Sequence, residues 1–188
     1  MQRIETRDML VISIMVTLLA ISAYISIPIG PVPFTLQSYF AILSGMILGS
    51  RKGSLATLVY VAMGVLGLPV FAGGKAGFSI LASPTFGYLV GFVFASFLVG
   101  RLVEGRQTHS TLKWILVSLS GLGPIYIFGV AYLYMIYNLV IAPSNPINMA
   151  TALKFGIYPF ILVDVIKAVL AGLTGRVIYR ALKKSAVL

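Results

Sequence analysis

The chain has 188 residues, 59% of them hydrophobic and only 10% charged, with no cysteine and a mean hydropathy of +1.02. Soluble domains carry about a quarter charged residues, so this is an integral membrane protein, and disulfides and thiolate metal sites are excluded. The formal charge of +10 would suit nucleic acid, but the basic residues are spread over turns between apolar runs, at headgroup level, which argues against such a surface.

The length allows about six spans of roughly 20 residues, hence a single transmembrane domain over 1–188 with no separate soluble domain. After a short polar start comes an apolar run, 9–27. It is longer than the core of a cleavable signal peptide, which predicts a retained first span. Pro28, Pro31 and Pro33 then predict a stiff connection. The second and third spans, 35–48 and 54–68, are short and are expected to pack within a bundle. Gly45, Gly49 and Gly53 form a small-residue stripe there, and Arg51-Lys52 marks the turn.

Residues 69–84 are glycine-rich yet apolar. Irregular backbone is tolerated near membrane depth only when it is buried in protein or lines a cavity. Ser83-Pro84 reads as an N-cap followed by a first-turn proline, opening a fourth span, 85–103, with a Gly87/Gly91 pair. A polar stretch with Arg101, Glu104, Arg106 and His109 follows. The fifth span, 111–141, is too long for a straight crossing, and Gly121-Leu122-Gly123-Pro124 predicts a kink or an interruption. Its second half is aromatic, with Tyr126, Phe128, Tyr132, Tyr134 and Tyr137. A turn-rich loop, a short amphipathic piece (149–155) and a sixth span, 159–183, complete the chain.

Alternating spans put Arg3, Arg7, Arg51, Lys52, Arg101, Arg106, Lys113, Arg176, Arg180, Lys183 and Lys184 on one side and only Lys75 and Lys154 on the other. Positive charge favours the cytoplasm, so both termini are expected inside. The outer connections, 28–34, 69–83 and 142–157, are poor in charge.

Asp164 and Lys167 stand out. Three residues apart on a helix, they share one face, about 8 Å and one further turn below Pro159. One reading is a self-satisfied ion pair. Removing two charges from water costs several kcal/mol each, however, and polar ligand groups would help to offset that. A carboxylate accepts and an ammonium donates, which suits a small neutral group with N–H beside C=O, such as an amide or urea. Gln37, Tyr39, Ser79, Ser83, Tyr88 and Asn138 are candidate pocket residues, each with an ordinary alternative as cap, anchor or interhelical bond. Phe34, Phe71, Phe78 and Phe86 either wall a pocket or pack the core. Lys75 either meets an anionic tail or snorkels. No Walker A, HExxH or GxSxG motif is present: Gly73-Gly74-Lys75 is followed by Ala76. Four acidic residues leave no carboxylate pair placed for a metal, so no enzyme and no cofactor is expected.

The motifs Ile25-Ser26-Ile27-Pro28-Ile29-Gly30-Pro31-Val32-Pro33-Phe34-Thr35-Leu36-Gln37, Gly67-Leu68-Pro69-Val70-Phe71-Ala72-Gly73-Gly74, Ser83-Pro84-Thr85-Phe86-Gly87-Tyr88-Leu89-Val90-Gly91-Phe92 and Pro159-Phe160 with Asp164-Val165-Ile166-Lys167 closely resemble those of the BioY family. These are the biotin-specific substrate-binding (S) components of energy-coupling factor (ECF) transporters. The resemblance covers essentially the whole length. It implies an all-α bundle of six transmembrane helices in a prokaryotic cell membrane, binding biotin from outside, with a membrane T component and two cytoplasmic ATPases as partners. It implies that Asp164 and Lys167 hold the ureido ring and that the outer loops close over the ligand; Gln37, Phe34, Phe71, Gly73, Gly74, Ser79, Ser83, Phe86, Tyr88 and Asn138 are the candidate residues around it. S components commonly carry Ala-x-x-x-Ala on the first helix for docking. Here that helix offers Ser13, Thr17 and Ala20, or Ser22 and Ser26, instead. The alternative is a self-sufficient carrier with Asp164 as a proton-linked site.

Overall fold

The computed structural model describes residues 6–104 and 110–185. Arg3 and Arg106 of the topology argument, and His109 of the polar stretch, lie outside them. The described chain forms α1 (Thr6–Tyr24), a hairpin of β1 (Ser26–Ile29) and β2 (Val32–Thr35), α2 (Gln37–Val65), α3 (Phe86–Val103), α4 (Thr111–Ser120), α5 (Leu122–Ile136), α6 (Met149–Gly156) and α7 (Ile161–Lys184). Among the described residues, α1, α3 and the 31-residue run Thr111–Ile141 are each long and apolar enough to cross a membrane. Helices α6 and α7 pass the same test together, bent by 51°.

The chain reverses inside α2. Gly49 has φ +79° and ψ −178°, a conformation essentially reserved for glycine. A Cβ on Gly53 would lie 2.7 Å from the Ser44 carbonyl oxygen and 2.8 Å from Gly45 Cα. On a straight helix those residues would stand about 12 Å apart. The arms 37–48 and 50–65 are therefore antiparallel neighbours, the two short packed spans the sequence predicts. A side chain on Gly45 would run into the Ser96 carbonyl, and one on Gly91 would come within 2.7 Å of Ile125 Cα. The small-residue positions thus set the close approach of α2 to α3 and of α3 to α5. The expected interruption falls at Gly121, between α4 and α5.

Two boundaries differ from the sequence reading. The first span ends at Tyr24, and Ser26–Ile29 pairs antiparallel with Val32–Thr35, Pro28 opposite Pro33. A two-stranded ribbon has two free edges, where a missing proline N–H costs no ladder bond. The turn is Gly30-Pro31, with Gly30 at φ +61°, the sign a II′ hairpin turn requires at its first central residue. Helix α3 begins at Phe86 without a side-chain cap. Ser83 is extended at ψ 138° and its hydroxyl pairs with that of Thr85 at 2.8 Å, so Pro84 lies in the turn before the helix.

Polar contacts gather at one end of the bundle. Lys52 meets Asp8 at 2.5 Å. The Ser50 N–H and hydroxyl donate to Glu104 Oε1 at 2.7 and 2.8 Å, capping the second arm of α2 from the end of α3. Arg176 donates to Thr111 at the start of α4. At the opposite end lie the hairpin, the connection 66–85 and α6. The connection holds two short 3-10 turns, Ala72–Gly74 and Phe78–Ala82.

Candidate functional site

Asp164 and Lys167 sit in the first two turns of α7, only 7% and 6% exposed. Lys167 Nζ lies 2.5 Å from Asp164 Oδ1, so the i,i+3 contact the spacing predicts is made. It is not self-sufficient. Ser38 Oγ, at the start of α2, donates to Asp164 Oδ1 at 3.0 Å. The Tyr126 hydroxyl, on α5, donates to Oδ2 at 2.5 Å. Lys167 Nζ also donates to the Thr35 carbonyl, at the end of β2, at 2.7 Å, and stands 4.4 Å from the centroid of the Phe34 ring. Three elements, α2, α5 and β2, converge on an ion pair carried by α7, as a buried pair needs if its desolvation is to be offset.

The capacity of these groups is not exhausted. A carboxylate offers about four acceptor positions and an ammonium three donors. Asp164 receives three hydrogen bonds, so one position, on Oδ2, is open. Lys167 gives two hydrogen bonds and has one N–H left. One acceptor beside one donor complements a group that presents an N–H next to a carbonyl.

These residues form the polar floor of a cavity of about 60 Å³. Its other walls are Val32, Phe34, Leu89, Phe92, Ile125 and Phe160, with Gln37, Thr85 and Tyr88 as polar exceptions and Ala72 reaching in from the 66–85 connection. Phe34 and Phe160 lie parallel, centroids 6.4 Å apart. The Tyr88 hydroxyl donates to the Gly156 carbonyl at 2.9 Å. Small-molecule pockets begin at roughly 300 Å³, so a ligand of that class enters only if the covering segments yield. Among the described residues no group of three or more His, Asp or Glu side chains could hold a metal ion. The arrangement offers binding: one carboxylate and one ammonium, already paired with each other and held by Ser38, Tyr126 and the Thr35 carbonyl.

Of the residues singled out in the sequence, Asp164, Lys167, Gln37, Phe34 and Tyr88 come together at this cavity. Gly73 and Gly74 lie in the turn just after Ala72. Phe71 is buried behind the wall, edge-on to Tyr60 with centroids 5.6 Å apart. Phe86 packs edge-on against Tyr132. Ser79 and Ser83 border a separate, shallow surface depression with Lys75. Both ends of the Asn138 amide bond the backbone of Ile147, at 3.0 and 2.7 Å. The sequence reading missed Ser38, Thr85, Phe160 and the Thr35 carbonyl, and it took Tyr126 only as one of an aromatic series. Ser38 adjoins Gln37 at the end of the first motif, and Thr35, Thr85 and Phe160 stand inside the quoted motifs, so motif membership or adjacency was the available signal.

Comparison with known proteins points one way. The sequence signature of the BioY family matches residues 1–184. The chain is 40% identical to the biotin transporter BioY of Thermotoga maritima, over 89% of this chain and 92% of that one. It is 36% identical to a probable biotin transporter BioY of Pyrococcus horikoshii, over 89% and 93%, and 35% identical to the biotin transporter BioY of Rhizobium etli, over 93% and 94%. Its fold is similar to a crystal structure of the S-component for biotin from an ECF-type ABC transporter, with a TM-score of 0.76 and 26% identity over 92% of this chain and 90% of that one.

Proposed function

The chain belongs to the BioY family, and from that premise we propose that it is the biotin-binding S component of an ECF-type transporter, seating the ureido ring on Asp164 and Lys167. The observation that carries this reading is the buried Asp164–Lys167 pair with one acceptor and one donor position unspent. A ureido N–H donates to Asp164 Oδ2 while the ureido oxygen accepts from Lys167. The aromatic walls, Phe34, Phe92 and Phe160, take the apolar face of the fused ring. The valerate tail runs toward the 66–85 connection.

The protein is a membrane protein that binds and does not catalyse. All of 1–188 acts as one multi-pass unit in the plasma membrane of a prokaryote. The basic end of the bundle, with both termini, faces the cytoplasm, as the positive-inside rule requires, and the cavity end faces outward. A T component and two cytoplasmic ATPases supply the energy that this chain, without a nucleotide motif, does not. The carrier reading is not favoured, because Asp164 is held by Lys167, Ser38 and Tyr126 rather than standing free as a proton site.

Two measurements test the proposal. Titration of the purified, detergent-solubilised chain with biotin gives saturable 1:1 binding, and dethiobiotin, which keeps the ureido group, competes at the same site. Proteoliposomes holding this chain alone show no biotin uptake driven by a proton gradient. Absence of biotin binding contradicts the first element of the proposal, and gradient-driven uptake contradicts the second.

A further inference from the structure

A chain of hydrogen bonds leads from the cavity wall to the loop that covers it. The Lys167 ammonium donates to the Thr35 carbonyl. The Thr35 hydroxyl donates to Gln37 Oε1 at 3.0 Å. Gln37 Nε2 donates to the Tyr60 hydroxyl oxygen at 2.5 Å, and that hydroxyl donates to the Val70 carbonyl at 2.9 Å. The direction of the chain is forced. A carbonyl only accepts, so the Tyr60 proton is committed to Val70, its oxygen receives the Gln37 N–H, and the Gln37 oxygen is left for Thr35.

Tyr60 is fully buried and is not among the residues lining the cavity. Its hydroxyl joins Gln37 to Val70, and its ring packs on Phe71, so it meets the loop at two successive residues. Two other tyrosines hold the same connection without reaching the cavity: Tyr24, itself exposed, donates to the Pro69 carbonyl, and Tyr132 donates to the Leu81 carbonyl. Between these anchors lie Gly73, Gly74 and Gly77, with φ of +72°, +71° and +81°, and Ala72, which touches the cavity.

We infer that Tyr60 is a positioning residue that couples occupation of the cavity to the placement of the loop after Val70. This rests on the reading of the cavity as the biotin site. With the cavity filled, the Gln37 amide has no room to turn inward. Releasing Val70 then leaves the buried Tyr60 hydroxyl proton without an acceptor, which is costly. By linkage, a ligand that strengthens the loop's hold is itself held more tightly by the loop.

The test uses the full-length chain in detergent, with Tyr60→Phe and Tyr24→Phe, and reads the biotin dissociation rate and tryptic cleavage after Lys75, which is exposed on the loop. In the unsubstituted chain biotin slows cleavage at Lys75. Tyr60→Phe keeps the ring but releases biotin about five- to tenfold faster, leaves the association rate within about twofold, and loses a comparable factor of biotin-dependent protection. Tyr24→Phe raises cleavage by the same factor with and without biotin, so its protection ratio is kept. If Tyr60→Phe retains the original dissociation rate and protection ratio, the coupling is wrong and Tyr60 is a packing residue. If the unsubstituted chain binds no biotin, the site reading fails and the coupling fails with it.

Discussion

The Tyr126 hydroxyl donates to Asp164 Oδ2 at 2.5 Å, across 38 positions of sequence and from α5 to α7. Hydrogen bonds to charged groups contribute about 1.5–3 kcal/mol, so Tyr126→Phe is expected to lower stability by an amount in that range and to weaken biotin binding several-fold. Thermal unfolding in detergent, read beside a biotin titration, checks both. Unchanged values in both would mean that this hydroxyl does not support the carboxylate.

Asp164 and Lys167 are buried together, and removing one leaves the other uncompensated at a cost of about 3–5 kcal/mol. Asp164→Asn and Lys167→Met are each expected to destabilise strongly. The double variant removes both charges at once and is expected to be more stable than the sum of the single effects predicts. A double-mutant cycle on unfolding free energies measures the difference, and strict additivity would refute the coupling.

Glu104 makes a pH-dependent contribution at the other end of the bundle. Burial pushes its carboxyl up, but the Ser50 N–H and hydroxyl and the Arg101 guanidinium more than offset this and take it below its ordinary 4.5. A carboxyl lowered on folding stabilises the fold fully above its unfolded value, and that contribution is lost as pH falls through the folded value. Stability is therefore expected to decline below about pH 4.5 more steeply in the unsubstituted chain than in Glu104→Gln. Parallel pH profiles for the two proteins would contradict this.

Gly49→Ala forces a side chain into a φ of +79°, with its Cβ 2.8 Å from Glu104 Oε1. Strained backbone of this kind costs about 1–3 kcal/mol, and the displaced Glu104 gives up its cap on the second arm of α2. A lower unfolding temperature is expected. Gly123→Ala, where nothing lies within 4 Å, serves as the tolerated comparison.

The apolar helices, the reversal near Arg51-Lys52, the helix break at Gly121 and the Asp164–Lys167 contact were legible because each depends on local spacing. The hairpin at 26–35 was not. Three prolines read as a stiff linker, and only the pairing of Ser26 with Thr35 and its successors reveals a ribbon. Tyr126 and Ser38 were not legible as partners of Asp164, since a single sequence does not fix the rotation of α5 or the first arm of α2 against α7. Phe71 and Asn138 illustrate the converse. Both read as pocket candidates, yet the Phe71 ring fills the space beside Gly64, and the Asn138 amide bonds the backbone of Ile147.

The most direct measurement is biotin affinity of the purified chain beside Asp164→Asn and Lys167→Ala, each checked for folding by its unfolding transition. Truncating one partner of a buried, hydrogen-bonded charge pair costs about 2–5 kcal/mol of binding. Tight binding by the unsubstituted chain and a loss of at least about 30-fold in each variant is the predicted result. Affinity unchanged in both variants would place the ureido ring somewhere other than Asp164 and Lys167.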